Sequence, residues 1–438
     1  MKSLQILTCI FVNEIEDASI LRAMRMMFSS VLTIVVFIVF VRSDKCPDLD
    51  LIERSFADVH IPGGAIVVVS REEILYQKSI GYHSLSPLKP VNVNNSIFTL
   101  ASLSKPFIGI AVMQLVEENV LNLDEDINTY LNQSYGKLYH PRYPSDLINL
   151  RHLLSHTSSI SVDDNFLINS MQSDDLAFDN LNLMDFSFDN LIDKPSNWLE
   201  YPPGSRTKYS NEGTTLAALI VEQMSNMSYE KYVREKILKP LNINLKKTSF
   251  RLNDIEKRDD IVEQYAYLSN SSDDDQWKEG LSQLNLTKLS STYPTFLHIP
   301  FFSFSVYPAG LLRATIKDLS KFVQMFMNDG YPLLHSSSIN QMKRVVGDGH
   351  IPSADSSQPS PQFGLIWNWR ILPDGRRVIG HRGTLSGSTH LMMINEDNTI
   401  GVLILTNADI NIKNGISIKI DNLLIDTLTM LFGCFPQK

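Results

Sequence analysis

Residues 97–120, IFTLASLSKPFIGIAVMQLVEENV, contain the pattern from which the architecture can be inferred. Residues 97–100 favour a strand, and the apolar residues that follow Ser102 cover nearly the whole circumference of a helix. A helix that is apolar all round is a buried one. Pro106 falls near its first turn, where a missing N–H costs least. The sequence therefore predicts a buried helix over residues 102–120 that begins directly after a strand.

The start of this helix carries the motif S-x-x-K, formed by Ser102 and Lys105. The motif alone is weak, because it begins at five serines: Ser86, Ser102, Ser134, Ser205 and Ser228. Only Ser102 opens a buried helix after a strand-like run. One helical turn places Ser102 and Lys105 on the same face. A helix N-terminus favours developing negative charge, and a partly buried lysine loses its proton more readily. These features predict Ser102 as a nucleophile and Lys105 as its proton carrier.

Two later segments complement this pair. Tyr209 and Asn211 lie in SRTKYSNEGTTLAAL, just before a predicted helix. A tyrosine can pass a proton between nucleophile and leaving group, and an asparagine amide can bind a substrate carbonyl. The stretch HRGTLSGST begins at His381 and holds the chain's only H-x-G, in which Gly383 precedes Thr384. A glycine allows close approach of a substrate backbone.

The order A-S-x-x-K, Y-S-N, H-x-G resembles the serine beta-lactamase-related family, which includes class C beta-lactamases, DD-peptidases and esterase-like relatives. The stretches LRHLLSHTSSI from Leu150, YPPGSRTKYSNEG from Tyr201 and YPAGLLRATIKDLSKF from Tyr307 resemble the same family. The resemblance covers roughly residues 48–432. It implies an α/β fold of the α+β type, in which helices flank an antiparallel sheet and a mostly helical region is inserted.

The resemblance also implies catalytic roles. Ser102 would attack a carbonyl and form an acyl-enzyme, while Lys105 and Tyr209 would move protons. Asn211 would orient the substrate. The backbone N–H groups of Ser102 and Thr384 would form an oxyanion hole, worth about 3–4 kcal/mol per donor.

The H-x-G segment departs from the family's K-T-G version. His381 would occupy the place of the lysine, and a neutral imidazole would hold a carboxylate less firmly than an ammonium. Arg382 could supply the missing charge, although alternation along a strand could equally point it away. Gly383 would still admit the substrate.

Strand patterns lie at both ends of the chain and helical patterns in the middle. A polar turn at Arg71 separates two strands within residues 63–82, and a hairpin is predicted around residues 395–398. The sheet is thus expected from about residues 46–100 and 360–438, with a helical region at about 120–300. Residues 161–198 are acidic and irregular, and residues 268–300 are expected to form a long surface loop. Both are expected to border the cleft.

Residues 1–45 are expected to target the chain, leaving residues 46–438 as the beta-lactamase-related domain. Arg22 and Arg25 precede an apolar run, 26–41, that is shorter than the about 20 residues of a membrane span. A signal peptide cleaved after Ser43, a retained signal anchor and a mitochondrial presequence all remain open. The first predicts a secreted or lumenal protein. Five N-x-S/T triplets are candidate glycosylation sites: Asn94, Asn132, Asn226, Asn270 and Asn285.

The net charge and the cysteine and histidine residues indicate which partners and cofactors the chain can bind. A formal net charge of -9 argues against nucleic acid as a partner. Cys46 and Cys434 would be the cysteines left after cleavage, either as two thiols or as a disulfide; the family fold brings the chain ends together, which suits a disulfide. His152 and His156 lie four residues apart, but no carboxylate follows at a metal-binding spacing. No metal or cofactor is expected, and the oligomeric state stays undecided.

Three functions are compatible with these patterns. The first is a serine hydrolase that cleaves an ester or amide, with a small molecule or peptide as substrate. The second is a catalytically weak relative with a binding or assembly role, although the intact S-x-x-K and Y-S-N speak against it. The third is a true beta-lactamase or D-alanyl-D-alanine carboxypeptidase. Contact with a membrane is expected only through an uncleaved N-terminal segment.

Overall fold

The computed structural model describes residues 46–179, 181–191, 194–411 and 415–435. The predicted leader, residues 1–45, lies outside these ranges. The body that carries the fold begins at Leu51. Among the described residues, no helix has the length and apolar character that a membrane span requires.

A seven-stranded sheet organises the described part of the chain, with its strands in the order β11 (Asn368–Ile371), β12 (Arg377–Leu385), β13 (Ser388–Asn395), β14 (Gly401–Thr406), β1 (Gly63–Val69), β2 (Ile74–Leu85) and β3 (Leu88–Pro90). All its neighbouring strands are antiparallel, and β1 joins the two ends of the sequence because Gly64 pairs with both Ile80 and Thr406. The fold class predicted from the sequence is therefore confirmed.

Shorter strands form three small sheets. They pair β4 (Ile97–Thr99) with β10 (Arg313–Thr315), β5 (Gln172–Ser173) with β9 (Phe302–Ser303), and β8 (Thr295–Ile299) with both β6 (Gln264–Leu268) and β7 (Thr287–Lys288).

Most helices lie between β4 and β11 in the sequence. They are α1 (Leu49–Asp58), α2 (Lys105–Glu117), α3 (Leu150–Leu154), α4 (Asp164–Asn169), α5 (Leu183–Leu191), α6 (Asn211–Ser225), α7 (Tyr229–Val233), α8 (Ser271–Gly280), α9 (Ile316–Met327), α10 (Ser336–Lys343) and α11 (Gly415–Cys434).

Both faces of the central sheet are covered, which explains why β1 is the apolar run GGAIVVV. Successive side chains of a strand point to opposite faces. Val67 therefore packs in the large cluster formed with α2, α6 and α9, whereas Val68 packs in a smaller cluster with α1 and α11. The helix after β4 is held against the first of these layers.

The predicted buried helix is present but differs at both ends. A 3-10 turn, Ala101–Ser104, precedes α2, and Pro106 lies in the first turn of α2, as expected. The helix stops at Glu117 rather than at residue 120. Asn119 has a φ of 58°, a left-handed conformation that ends helices.

Two predictions for the middle of the chain were wrong. Residues 268–300 do not form a long loop, because they contain α8, β7 and β8. The side chain of Asn270 caps α8 by accepting backbone N–H groups. The helix sequence SSDDDQWKEG has almost no apolar stripe, since Trp277 alone supplies a large buried side chain. Residues 161–198 are likewise not irregular throughout, as they include α4 and α5.

Candidate active site

The amine of Lys105 is the centre of the site. It lies 3.0 Å from Ser102 Oγ, 2.7 Å from Asn211 Oδ1 and 2.9 Å from the carbonyl oxygen of Ala309. An ammonium has three N–H donors, so these three oxygens satisfy it completely. If it loses one proton, two donors remain for Asn211 and Ala309, and the lone pair faces Ser102.

The environment of Lys105 favours that loss of a proton. The side chain is fully buried, and desolvation lowers its pKa to about 7, with the charge of Glu212 acting in the opposite direction. Burial of a cation disfavours its charged form. A lysine with this pKa can serve as a general base near neutral pH.

Tyr209 lies close to the same amine. Its ring centroid is 4.8 Å from Lys105 Nζ, within cation–π range. About 40% of the residue is exposed, and it lines the cleft, whereas the surroundings of its hydroxyl are buried. Burial raises the pKa of this hydroxyl well above its usual value, while a hydrogen bond with Ser102 lowers it. The phenol therefore keeps its proton and can donate it.

The Y-S-N segment is placed by the start of α6. Ser210 caps this helix by accepting the N–H of Gly213, and Asn211 is the first helical residue. This cap fixes the position at which the loop ends and α6 begins. Tyr209 and Asn211 consequently lie on either side of Ser210, and both line the same cleft as Ser102.

His381 is buried and neutral. Its Nδ1 lies 2.6 Å from the carbonyl oxygen of Arg382 and donates to it. Desolvation lowers the pKa of His381 to about 3, and the charge of Lys105 adds to that effect. Arg382 does not replace the missing lysine with an unpaired positive charge, because its Nη2 lies 2.5 Å from Asp421 Oδ1 on α11. Arg382 therefore lines the cleft as an ion-paired residue.

Gly383 brings β12 against the 3-10 turn that carries the nucleophile. A Cβ at this position would lie 2.6 Å from the carbonyl oxygen of Leu100 and 3.3 Å from the Cβ of Ala101. Only a glycine permits that approach. The close contact places Thr384 on the wall of the cleft that contains Ser102.

The cleft has a volume of about 660 Å³, a size typical of small-molecule sites. Its described lining includes no Asp or Glu, and it includes the arginines Arg370 and Arg382. Both middle segments that were expected to border the cleft do so. They supply an apolar wall made of Leu167, Ile168, Met171, Trp277 and Leu281.

The structure also shows contributors that sequence reasoning missed. The carbonyl of Ala309 has no side-chain signature, although it lies in the quoted stretch YPAGLLRATIKDLSKF. His390 was overlooked as well. It is fully buried, and its Nε2 donates to the carbonyl oxygen of Thr99 at 2.8 Å, which ties β13 to the strand before Ser102.

The remaining predicted sites lie outside the cleft. Cys46 and Cys434 are disulfide-bonded. No group of three His, Cys, Asp or Glu side chains in the described ranges could hold a metal ion. All five sequon asparagines are exposed, and their glycosylation stays a prediction: Asn94, Asn132, Asn226, Asn270 and Asn285.

Known proteins share this fold. Penicillin-binding protein 4* of Bacillus subtilis (strain 168) is 23% identical over 368 residues, which are 84% of this chain and 73% of that protein. The octameric penicillin-binding protein homologue from Pyrococcus abyssi superposes with a TM-score of 0.68 at 22% identity, covering 88% of this chain and 78% of the other. D-amino acid amidase from Ochrobactrum anthropi SV3 gives 0.64 at 17%, covering 88% and 99%.

A match to a family model assigns most of the chain to one protein family. The family described as Beta-lactamase matches residues 49–425. This range includes the S-x-x-K, Y-S-N and H-x-G segments that meet in the cleft. The resemblance inferred from the motifs is thus confirmed, and this chain belongs to the beta-lactamase family.

Proposed function

We propose that the chain is a serine hydrolase that cleaves an ester or amide through an acyl-enzyme on Ser102. The supporting observation is the contact of 3.0 Å between Lys105 Nζ and Ser102 Oγ, made by a buried amine whose pKa is lowered to about 7. A nucleophile beside a base of matched pKa is the arrangement that acyl transfer requires. The similar D-amino acid amidase supports hydrolase chemistry.

Each proton in the proposed acylation has a carrier. Neutral Lys105 accepts the proton of Ser102 as Oγ bonds to the carbonyl carbon. The N–H groups of Ser102 and Thr384 stabilise the resulting oxyanion. Tyr209 donates its proton to the leaving oxygen or nitrogen as the carbonyl–leaving-group bond breaks, and Lys105 returns a proton to Tyr209. Water then attacks the acyl-enzyme, and the reverse proton path restores Ser102.

The lining of the cleft narrows the proposed substrate. Leu167 and Trp277 belong to an apolar wall that favours a substrate with an apolar group. His381 is neutral and Arg382 is paired with Asp421, so the K-T-G position offers no free cation. These features favour a small ester, amide or peptide over the substrates of a true beta-lactamase or carboxypeptidase. The contacts of Lys105 likewise favour catalysis over a binding or assembly role alone.

We also propose that the chain enters the secretory pathway, either secreted or anchored by residues of about 26–41. The support is the apolar run after Arg25 and the exposure of all five sequon asparagines.

Intact-mass spectrometry after treatment with a fluorophosphonate probe tests the hydrolase proposal. We expect a single adduct that maps to Ser102 and disappears in Ser102→Ala. Ser86→Ala is the matched control, because Ser86 is exposed and begins another S-x-x-K; it should still be labelled. Folded protein that reacts neither with this probe nor with the smaller phenylmethylsulfonyl fluoride would contradict the proposal and favour a binding or assembly role.

A further inference from the structure

His156 connects the end of α3 to the Y-S-N segment. It is only 1% exposed and has a φ of 59°, a conformation that residues other than glycine rarely adopt. Its ring centroid lies 4.4 Å from that of Tyr209 and 4.9 Å from that of Phe363. Backbone strain of this kind persists only where surrounding contacts hold it.

Those contacts fix the chain on both sides of Tyr209. The N–H of Ser210 donates to His156 Nδ1 at 3.2 Å, and the N–H of Lys208 donates to the carbonyl oxygen of His156 at 2.8 Å. The left-handed backbone allows the side chain and the carbonyl of one residue to reach these two donors. One histidine therefore holds the residues before and after Tyr209 while its ring supports the phenol.

The hydrogen bond from Ser210 also defines the protonation state. Because Nδ1 accepts, the ring must be neutral, with its proton on Nε2. Burial lowers the pKa of His156 well below its usual value, and the charge of Lys105 lowers it further. Nε2 has no hydrogen-bond partner among the described residues. His156 therefore stays neutral, and its Nδ1 remains available to accept the hydrogen bond from Ser210.

We propose that His156 is a positioning residue that sets Tyr209 and Asn211 in register with Ser102 and Lys105. Neither ring nitrogen of His156 contacts the substrate. It acts by fixing Ser210, which separates the two functional residues and caps α6. The inference rests on the proposed hydrolase function, since it assigns a role within that site.

Two substitutions separate the acceptor from the ring. His156→Asn keeps an acceptor near Nδ1 but loses the aromatic ring. His156→Phe keeps the ring but leaves the N–H of Ser210 without an acceptor. His140→Asn is the matched control. His140 is also fully buried, accepts the N–H of Arg142 at Nδ1, and packs edge-on against Trp198, which does not line the cleft.

The measurement is the second-order rate of fluorophosphonate labelling per reactive site, together with the final labelled fraction and the melting temperature. A displacement of about 1 Å at a catalytic group lowers rates about 100-fold. We expect His156→Phe to lose about that factor with full final labelling, His156→Asn to recover most of the rate, and His140→Asn to match the unmodified chain. Asn adopts a left-handed backbone more readily than Phe, so the two variants can differ in stability. The melting temperature measures that difference separately from the labelling rate.

The outcomes are distinguishable. Labelling of His156→Phe at the unmodified rate, or a loss confined to the labelled fraction, would overturn the positioning role. If this variant does not fold, His156→Leu removes the same acceptor and takes its place. A failure of the unmodified chain to be labelled would instead contradict the hydrolase proposal.

Discussion

The amine of Lys105 lies 3.0 Å from the hydroxyl oxygen of Ser102, within the hydrogen-bond distance that a general base needs to remove its proton. Burial lowers the pKa of Lys105 to about 7, with Glu212 opposing this shift. The base is the neutral form, which predominates above the pKa. We therefore expect the rate of Ser102 labelling to rise with pH through about 7 and then level off.

The pH profile of fluorophosphonate labelling checks this expectation. Lys105→Arg is the informative variant, because a guanidinium stays charged and cannot act as the base. It should label slowly at every pH, whereas Lys89→Arg, in another S-x-x-K, should behave as the unmodified chain does. A flat profile for the unmodified chain would exclude Lys105 as the base.

Tyr209→Phe should slow turnover about 100-fold to 10,000-fold, the range typical for loss of a general acid or base. The ring contact with His156 is retained, so the melting temperature should change little. Tyr130→Phe is the control, since Tyr130 belongs to the second Y-x-N of the chain. Once an ester substrate is found by screening, steady-state kinetics measures the effect. Equal losses in the two variants would argue against a proton-transfer role for Tyr209.

Gly383→Ala should destabilise the protein and displace β12 from Ser102. The new Cβ would lie 2.6 Å from the carbonyl oxygen of Leu100, and overpacking typically costs about 1–3 kcal/mol. Denaturant unfolding and labelling rate report the two effects. Gly415→Ala is the control because its Cβ would meet nothing within 4 Å. Unchanged stability in Gly383→Ala would show that β12 can move away from Leu100 without an energetic cost.

His381→Lys should restore a cation at the K-T-G position. The like charge beside Lys105 should lower the pKa of Lys105 further. The rising limb of the labelling profile should then move to lower pH. His335→Lys, at an exposed position on the surface, serves as the control. A limb that moves to higher pH would indicate that residue 381 does not act on Lys105 through charge.

The secretory proposal makes a separate prediction. Chain produced in cells with a secretory pathway should lose mass when treated with peptide N-glycosidase, since Asn94 and the other four sequon asparagines are exposed. Substitution of all five asparagines by glutamine should abolish that change. An unmodified mass from secretory expression would contradict passage through the lumen.

The features predicted well from the sequence are local ones. Ser102 and Lys105 lie one helical turn apart, so their meeting follows from the helix itself. The apolar run of β1 and the turn at Arg71 similarly depend on neighbouring residues. The contacts missed are long-range and involve backbone groups. The carbonyl of Ala309 and the N–H of Ser210 carry no side-chain pattern, and α8 lacks the apolar stripe by which helices are recognised.

The pairing of Gly64 with Thr406 has a consequence for biosynthesis. The ribosome releases β1 long before it translates β14, so the centre of the sheet cannot close until Thr406 has emerged. Folds with such high contact order form slowly. Gly383 of β12 belongs to the same late segment, and it packs against the turn that carries Ser102. The nucleophile therefore acquires its surroundings only after β12 and β14 have been translated, and chains truncated before β12 should be chemically inert.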